Sequence, residues 1–159
     1  MAAYTTIDDP SAYFKVQLYT GTGSALAVTF DDTDTDMSPD FVYVKGRSAV
    51  TSSLLFDSVR GTGKYLNGSS GGAEVSEAQS ITAFGSDGFS IGTESDINTS
   101  TDLYVSWNWK AGTTSGITTN GSTDTTPGAY TFNQTSGFSC IKYVGNGVDD
   151  TQVAHGLGA

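Results

Sequence analysis

The sequence predicts an all-β fold, an antiparallel β-sandwich of jelly-roll or concanavalin-like kind with long polar loops, and three observations carry that expectation. Apolar residues recur with period two, not with the helical period, in one segment after another. The segments are bounded by Gly, Asp, Asn or Pro, residues suited to turns. Thr, Ser, Gly, Asp, Val, Tyr and Phe dominate the composition while Glu, Lys, Arg, Leu and Met are sparse, the usage of strands and turns.

The elements follow in order. Phe14, Val16 and Leu18 alternate with Lys15 and Gln17, and after the turn Thr20-Gly21-Thr22-Gly23 the residues Leu26, Val28 and Phe30 alternate with Ala27 and Thr29. The two segments read as a hairpin. Phe41 to Lys45 is apolar enough to be buried on both faces, and Ser53 to Asp57 is a further strand. Residues 61–72 are glycine-rich and read as loop around a short strand from Lys64 to Leu66. Ala73 to Phe84 alone is long enough and glycine-poor enough for one or two helical turns. Gly88 to Gly92 is a short strand. In the strong strand that follows, Leu103, Val105, Trp107 and Trp109 form the face expected in the core, opposite Tyr104, Ser106 and Asn108. Tyr130 to Phe132, Phe138 to Tyr143 and Thr151 to Ala154 read as the last strands.

A chain of 159 residues suits one domain. Residues 1–112 read as the core unit and 113–129 as a polar linker or long loop. Residues 130–159 read as a partial repeat of the N-terminal hairpin, packed on the same sandwich or on a neighbour. Phe14, Tyr19, Gly21 and Gly23 match Phe138, Tyr143, Gly145 and Gly147 at a constant offset, both turn glycines included. The second copy has no counterpart of Phe41 to Lys45, so it reads as a strand pair occupying an otherwise open sheet edge.

A net charge of −10 disfavours nucleic acid, since phosphate binding needs Lys or Arg to displace counterions. No apolar stretch approaches the roughly 20 residues that span a bilayer, so no membrane insertion is expected. The segment from Met1 to Pro10 lacks the cationic and apolar regions of a secretory signal. Cys140 is the single cysteine, which excludes an intrachain disulfide and reads as a buried thiol.

The motifs of catalysis fail one by one, and no enzyme is expected. His155, the one histidine, lies near the end of the sequence with no nucleophile arranged against it. A retaining glycosidase needs two carboxylates about 5 Å apart. Glu94-Ser95-Asp96 begins such a pattern, but Asn98 and Thr99 stand where the second glutamate should be. Gly63-Lys64 lacks the first glycine of a phosphate loop, and Tyr65 replaces its hydroxyl ligand for magnesium. Asp32, Asp34 and Asp36 have EF-hand spacing, but Met37 occupies the glycine position and Tyr43 that of the bidentate glutamate. A looser calcium site from Asp31, Asp32, Asp34 and Asp36 stays open beside the plainer reading of a solvated turn; no other cofactor is expected. Asn67, Asn98, Asn120 and Asn133 head glycosylation sequons that composition alone explains. Tyr4, Tyr65, Tyr104 and Tyr130 are candidates for a sugar-stacking platform or for ordinary core and subunit contacts.

Several segments carry a resemblance. Ile7 to Phe14, Tyr19 to Gly23, Pro39 to Arg47, Leu55 to Gly61, Asp87 to Phe89, Tyr104 to Gly112 and His155 to Gly158 together resemble a repeated β-domain of tail-fibre-like and other virion structural proteins of marine tailed bacteriophages. The likeness runs over nearly the whole chain through short motifs in a set order. It implies a virion component, made in the host cytoplasm and in contact with other virion proteins, with no catalytic residues to carry over. The edge strands of an isolated sandwich must be protected or paired, so a homo-oligomer is expected as well, and a host-surface glycan is a further candidate partner. In longer relatives His-Gly-Leu-Gly leads into another Pro-Asp-Phe strand, which does not follow here. The alternatives left open are a carbohydrate-binding module, marked by exposed Trp or Tyr beside polar groups, and, behind it, a glycoside-hydrolase-like enzyme.

Overall fold

The structure, a computed structural model, describes residues 7–30, 33, 35–119 and 125–158. It is an all-β, antiparallel, sandwich-like fold. A 3-10 turn over Pro10–Ala12 opens it: Pro10 suits the first helical position, and the Asp9 carboxylate accepts from the Ser11 amide at 3.0 Å. Strands β1 (Phe14–Thr20), β2 (Leu26–Thr29), β3 (Phe41–Gly46), β4 (Leu54–Asp57), β5 (Lys64–Asn67) and β6 (Val75–Ser76) follow. Then come β7 (Ile81–Gly85), β8 (Gly88–Ile91), the single helical turn α1 (Ser95–Asn98), β9 (Leu103–Trp109), β10 (Ala129–Asn133) and β11 (Phe138–Lys142).

Six strands form the large sheet in the order β1-β9-β3-β4-β5-β6, three form a smaller sheet in the order β2-β8-β7, and β10 and β11 form a hairpin. Strand β9 sits between β1 and β3, with Trp109 opposite both Phe14 and Phe41 and Trp107 opposite both Val16 and Tyr43. The core lies between the two sheets. Val42, Val44, Leu54, Phe56 and Tyr104 supply it from the large sheet; Val28, Ile81, Phe89 and Ile91 supply it from the small one. Phe30, Met37 and Ile97 close it from the connections. Each such side chain, fully withdrawn from water, contributes about 1.5–3 kcal/mol.

The expected hairpin of the first two strands does not form. Strand β1 pairs with β9 and β2 pairs with β8, so the turn through Gly21 and Gly23 carries the chain from one sheet to the other. Asn98, fully buried, holds that crossing: its side-chain oxygen accepts from the Thr22 amide at 2.8 Å, and its amide group donates to the Ser24 and Gly92 carbonyls at 2.6 Å each. The Asn98 sequon is therefore closed to a glycan. Ala73 to Phe84 holds β6, a turn and the start of β7 in place of helix, because its few apolar residues make no helical stripe while Ile81 has a core pocket to fill. The helical turn falls instead at Ser95–Asn98, where the Glu94 side chain caps the Asp96 amide.

The faces of β9 are reversed relative to expectation. Tyr104, Ser106 and Asn108 are fully buried, whereas Leu103 is 41% exposed and Trp107 and Trp109 are half-buried on the outer face. Period two says which residues share a face but not which face meets the second sheet. The polar inner residues are partly accommodated by hydrogen bonds: the Asn108 amide group donates to the Lys15 carbonyl at 3.1 Å and to the Ser106 hydroxyl at 3.0 Å, while its side-chain oxygen is buried without a partner among the described residues. The Tyr104 hydroxyl accepts from the Thr99 amide at 3.0 Å and donates to the Ser95 carbonyl at 3.3 Å. Strand β3 obeys the same division, with Val42 and Val44 fully buried and Phe41, Tyr43 and Lys45 half-buried, so it is not enclosed on both sides.

Residues 138–154 fill no edge of the two larger sheets of their own chain. Strand β11 pairs with β10 alone and carries Phe138 onto the outer face of the large sheet, while Val153 makes an isolated parallel bridge to Thr125 in place of the expected strand from Thr151 to Ala154. At one matched pair of positions the backbone conformation is the same. Gly23 and Gly147 both have positive φ, 70° and 73°, which glycine adopts without a Cβ clash. Tyr19 is covered by the core and donates its hydroxyl to the Ile97 carbonyl at 2.8 Å, and its counterpart Tyr143 is 54% exposed.

Candidate interaction surface

The outer face of the large sheet gathers many of the exposed large apolar side chains among the described residues. Strand β1 presents Phe14, Val16 and Leu18, which are 39, 50 and 54% exposed. Strand β9 adds Leu103, Trp107 and Trp109, β3 adds Phe41 and Tyr43, and β5 adds Leu66. Cross-strand register arranges them in rows, since residues directly opposite on one face are neighbours. One row runs Phe14, Trp109, Phe41; the next runs Val16, Trp107, Tyr43, Leu55, Leu66.

The first row is an aromatic cluster centred on Trp109. The rings of Phe14, Phe41 and Phe138 lie 4.9, 5.4 and 5.9 Å from it, and Phe138 stacks at an interplanar angle of 17°. Phe14 and Phe138, equivalent positions in the repeat, thus approach the same indole. In the second row Tyr43 stacks on Trp107 at 5.3 Å, and both residues are half-buried. Contiguous exposed apolar surface of this kind marks a contact site more often than a solvated face.

Where β11 leans over the sheet, a groove of about 430 Å³ is lined by Phe41, Leu66, Phe138 and Tyr143, with Asp57 and Arg60 at one side. Arg60 is fixed there: its Nε donates to the Asp57 carboxylate at 2.5 Å and its Nη2 to the Leu55 carbonyl at 2.9 Å, with both side chains nearly buried. Cys140 also lines the groove. Burial first, and then the carboxylates of Asp57 and Asp40, push its thiol up to about 12. It is therefore protonated at neutral pH and a poor nucleophile. Alkylation of the folded chain at pH 8 should run about a thousandfold slower than after unfolding, as mass spectrometry of iodoacetamide-treated samples would read out. Equal rates would show that the hairpin does not cover the thiol.

The other residues singled out in the sequence are dispersed. His155 is exposed, and its Nδ1 accepts from the Leu157 amide at 3.1 Å within its own turn. The Asp96 carboxylate accepts from the Ser52 amide at 3.2 Å and Glu94 caps α1, so both serve local structure. Lys64 faces Glu74 at 3.5 Å. Asp31, Asp32 and Asp34 lie outside the described residues, and Asp36 is exposed; among the described residues no group of three His, Cys, Asp or Glu could hold a metal ion. Of the candidate platform tyrosines, Tyr104 is buried in the core, Tyr65 and Tyr130 are half-buried, and Tyr4 lies outside the described residues. The exposed aromatic surface is built from other residues, Trp107, Tyr43, Phe14 and Phe138. Nothing in the alternation of β1 or β9 distinguishes that surface from a core face.

Fold and surface together define a β-sandwich-like module with one closed core and one open apolar sheet face. The chain belongs to the family described as a domain of unknown function (DUF7483), whose model matches residues 9–159. No curated protein and no solved structure matches the chain at a significant level.

Proposed function

We propose that this chain is a non-catalytic structural and attachment module of a tailed-phage virion, acting through subunit and host-surface contacts. The observation that carries the reading is the outer face of the large sheet, where Phe14, Val16, Leu18, Leu66 and Leu103 stand exposed around Trp107 and Trp109. A face so apolar costs free energy in water until another surface covers it. The resemblance of the chain's motifs to repeated virion domains supplies the setting. The carboxylates expected of a hydrolase are engaged in capping and loop contacts, which supports a binding module over an enzyme.

A carbohydrate-binding reading has one observation in its favour, the stacked and partly exposed Tyr43–Trp107 pair beside Lys45. The flanking residues Val16, Val105 and Leu103 offer no hydrogen bonds to sugar hydroxyls. Subunit contact therefore fits this face better, and glycan contact belongs to other surfaces of the assembly. Immunoelectron microscopy of purified particles from the phage that encodes the chain tests the proposal. Label on the particles is the expected result; label confined to the soluble lysate would overturn it.

A further inference from the structure

We infer that strand β1 is a homotypic pairing edge, through which two copies of this chain join antiparallel into one continuous sheet. A sheet edge presents unpaired backbone groups, and proteins blunt such edges by keeping them short, charged or bulged. Of the four edge strands of the two larger sheets, three fit that description. Strand β6 has two residues and lies between Glu74 and Glu77; β7 has a register shift between Ile81 and Ala83; β2 has four residues. Strand β1 is seven residues long, in unbroken register with β9, and contains no proline, glycine or carboxylate.

The backbone phase of β1 is set by its partner. The Lys110 amide donates to the Tyr13 carbonyl at 2.9 Å and the Gly21 amide to the Asp102 carbonyl at 2.8 Å, so odd-numbered residues of β1 face β9. Phe14, Val16, Leu18 and Thr20 turn their amide and carbonyl groups to the other side, where no strand pairs with β1 among the described residues; the Leu18 carbonyl there accepts from the Gln17 side-chain amide at 3.0 Å, a bond that strand pairing replaces. A twofold axis through Val16 places Val16 against its own copy, Phe14 against Leu18 and Lys15 against Gln17. That arrangement makes about six backbone hydrogen bonds, and every one uses an outward-facing residue.

Charge does not oppose a second copy of this chain at this edge, and the side chains favour it. At a net charge of −10, two copies repel wherever carboxylates meet. Strand β1 contributes none, and its one charged side chain, Lys15, is 5% exposed and turned inward. The side chains also complement themselves: Phe14, Val16 and Leu18 meet apolar partners, and the rows Trp109–Phe14 and Trp107–Val16 continue across the axis into the partner's outer face. The inference rests on the assembly reading above and gives it a defined partner.

Sedimentation of the full chain over a concentration series tests it, alongside Val16→Pro. Proline at position 16 removes an amide that faces the open edge and leaves the bonds from β1 to β9 in place. The wild type should form a dimer, and Val16→Pro should raise its dissociation constant at least about tenfold while keeping the wild-type circular dichroism spectrum. In a Cys140→Ser background, Val16→Cys should link two chains on oxidation, and Val75→Cys on β6 should not. A monomeric wild type, a folded Val16→Pro variant that still dimerises, or equal cross-linking at positions 16 and 75 would each overturn the inference. Particle labelling without a β1 dimer would leave the virion reading standing and remove this one alone.

Discussion

Replacing Tyr104 by alanine should destabilise the fold by about 3–5 kcal/mol, the range for deleting a large buried aromatic side chain from a site that cannot collapse. Tyr104 is fully buried, stacks on Tyr19 at 5.2 Å and 17°, and ties α1 to β9 through its hydroxyl. The same change at Trp107, which has only its outer-face neighbours to lose, should cost under about 2 kcal/mol. Urea unfolding of the two variants would order them. A larger loss at Trp107 than at Tyr104 would mean that the tryptophan face is the one inside.

Gly88→Ala should be comparably severe for a different reason. Gly88 opens β8 with φ of 120°, and an added Cβ would lie 2.1 Å from the Val28 carbonyl oxygen of the neighbouring strand. Backbone strain of about 1–3 kcal/mol comes from the conformation alone, and the clash forces β2 and β8 apart in addition. Because β8 is the central strand of the small sheet, that separation opens the lid of the core around Val28 and Phe89. A drop in melting temperature of many degrees is the expected reading, and an unchanged melting temperature would show that the β2–β8 pairing is looser than described. Gly61, with φ of 86° and nothing near its Cβ direction, should suffer the conformational strain without the clash.

The strands themselves were readable from alternation and turn residues: β1, β2, β3, β4, β5, β8, β9, β10 and β11 all fall where the pattern puts them. Their partners were not. Phe14, Val16 and Leu18 followed by a turn and Leu26, Val28 and Phe30 make as good a hairpin on paper as any. What separates the two strands is Asn98, more than 70 positions away, whose amide group binds the turn from the other side. Local pattern contains no term for such a contact.

The outer face was hidden for a related reason. A strand with tryptophans on one side and Ser106 and Asn108 on the other looks like a core strand with its polar side in water. The inversion depends on hydrogen bonds from Asn108 to β1 and on Val42 and Val44 of β3 sharing the inner side. Lys15, polar by sequence and nearly buried in the fold, is the clearest case: its ammonium group lies 5.7 Å from the centre of the Phe30 ring. The exposed surface became a candidate site only once both sides of the sheet were known.

That surface unites the proposals about assembly. Hydroxyl-radical footprinting of the free chain and of the assembly that the proposed function calls for, read by mass spectrometry, measures it most directly. Phe14, Leu18, Leu103 and Trp107 should oxidise readily in the free chain and become protected in the assembled one. If these side chains oxidise equally in both states while protection falls on the polar loops, the outer face of the large sheet is not the contact surface.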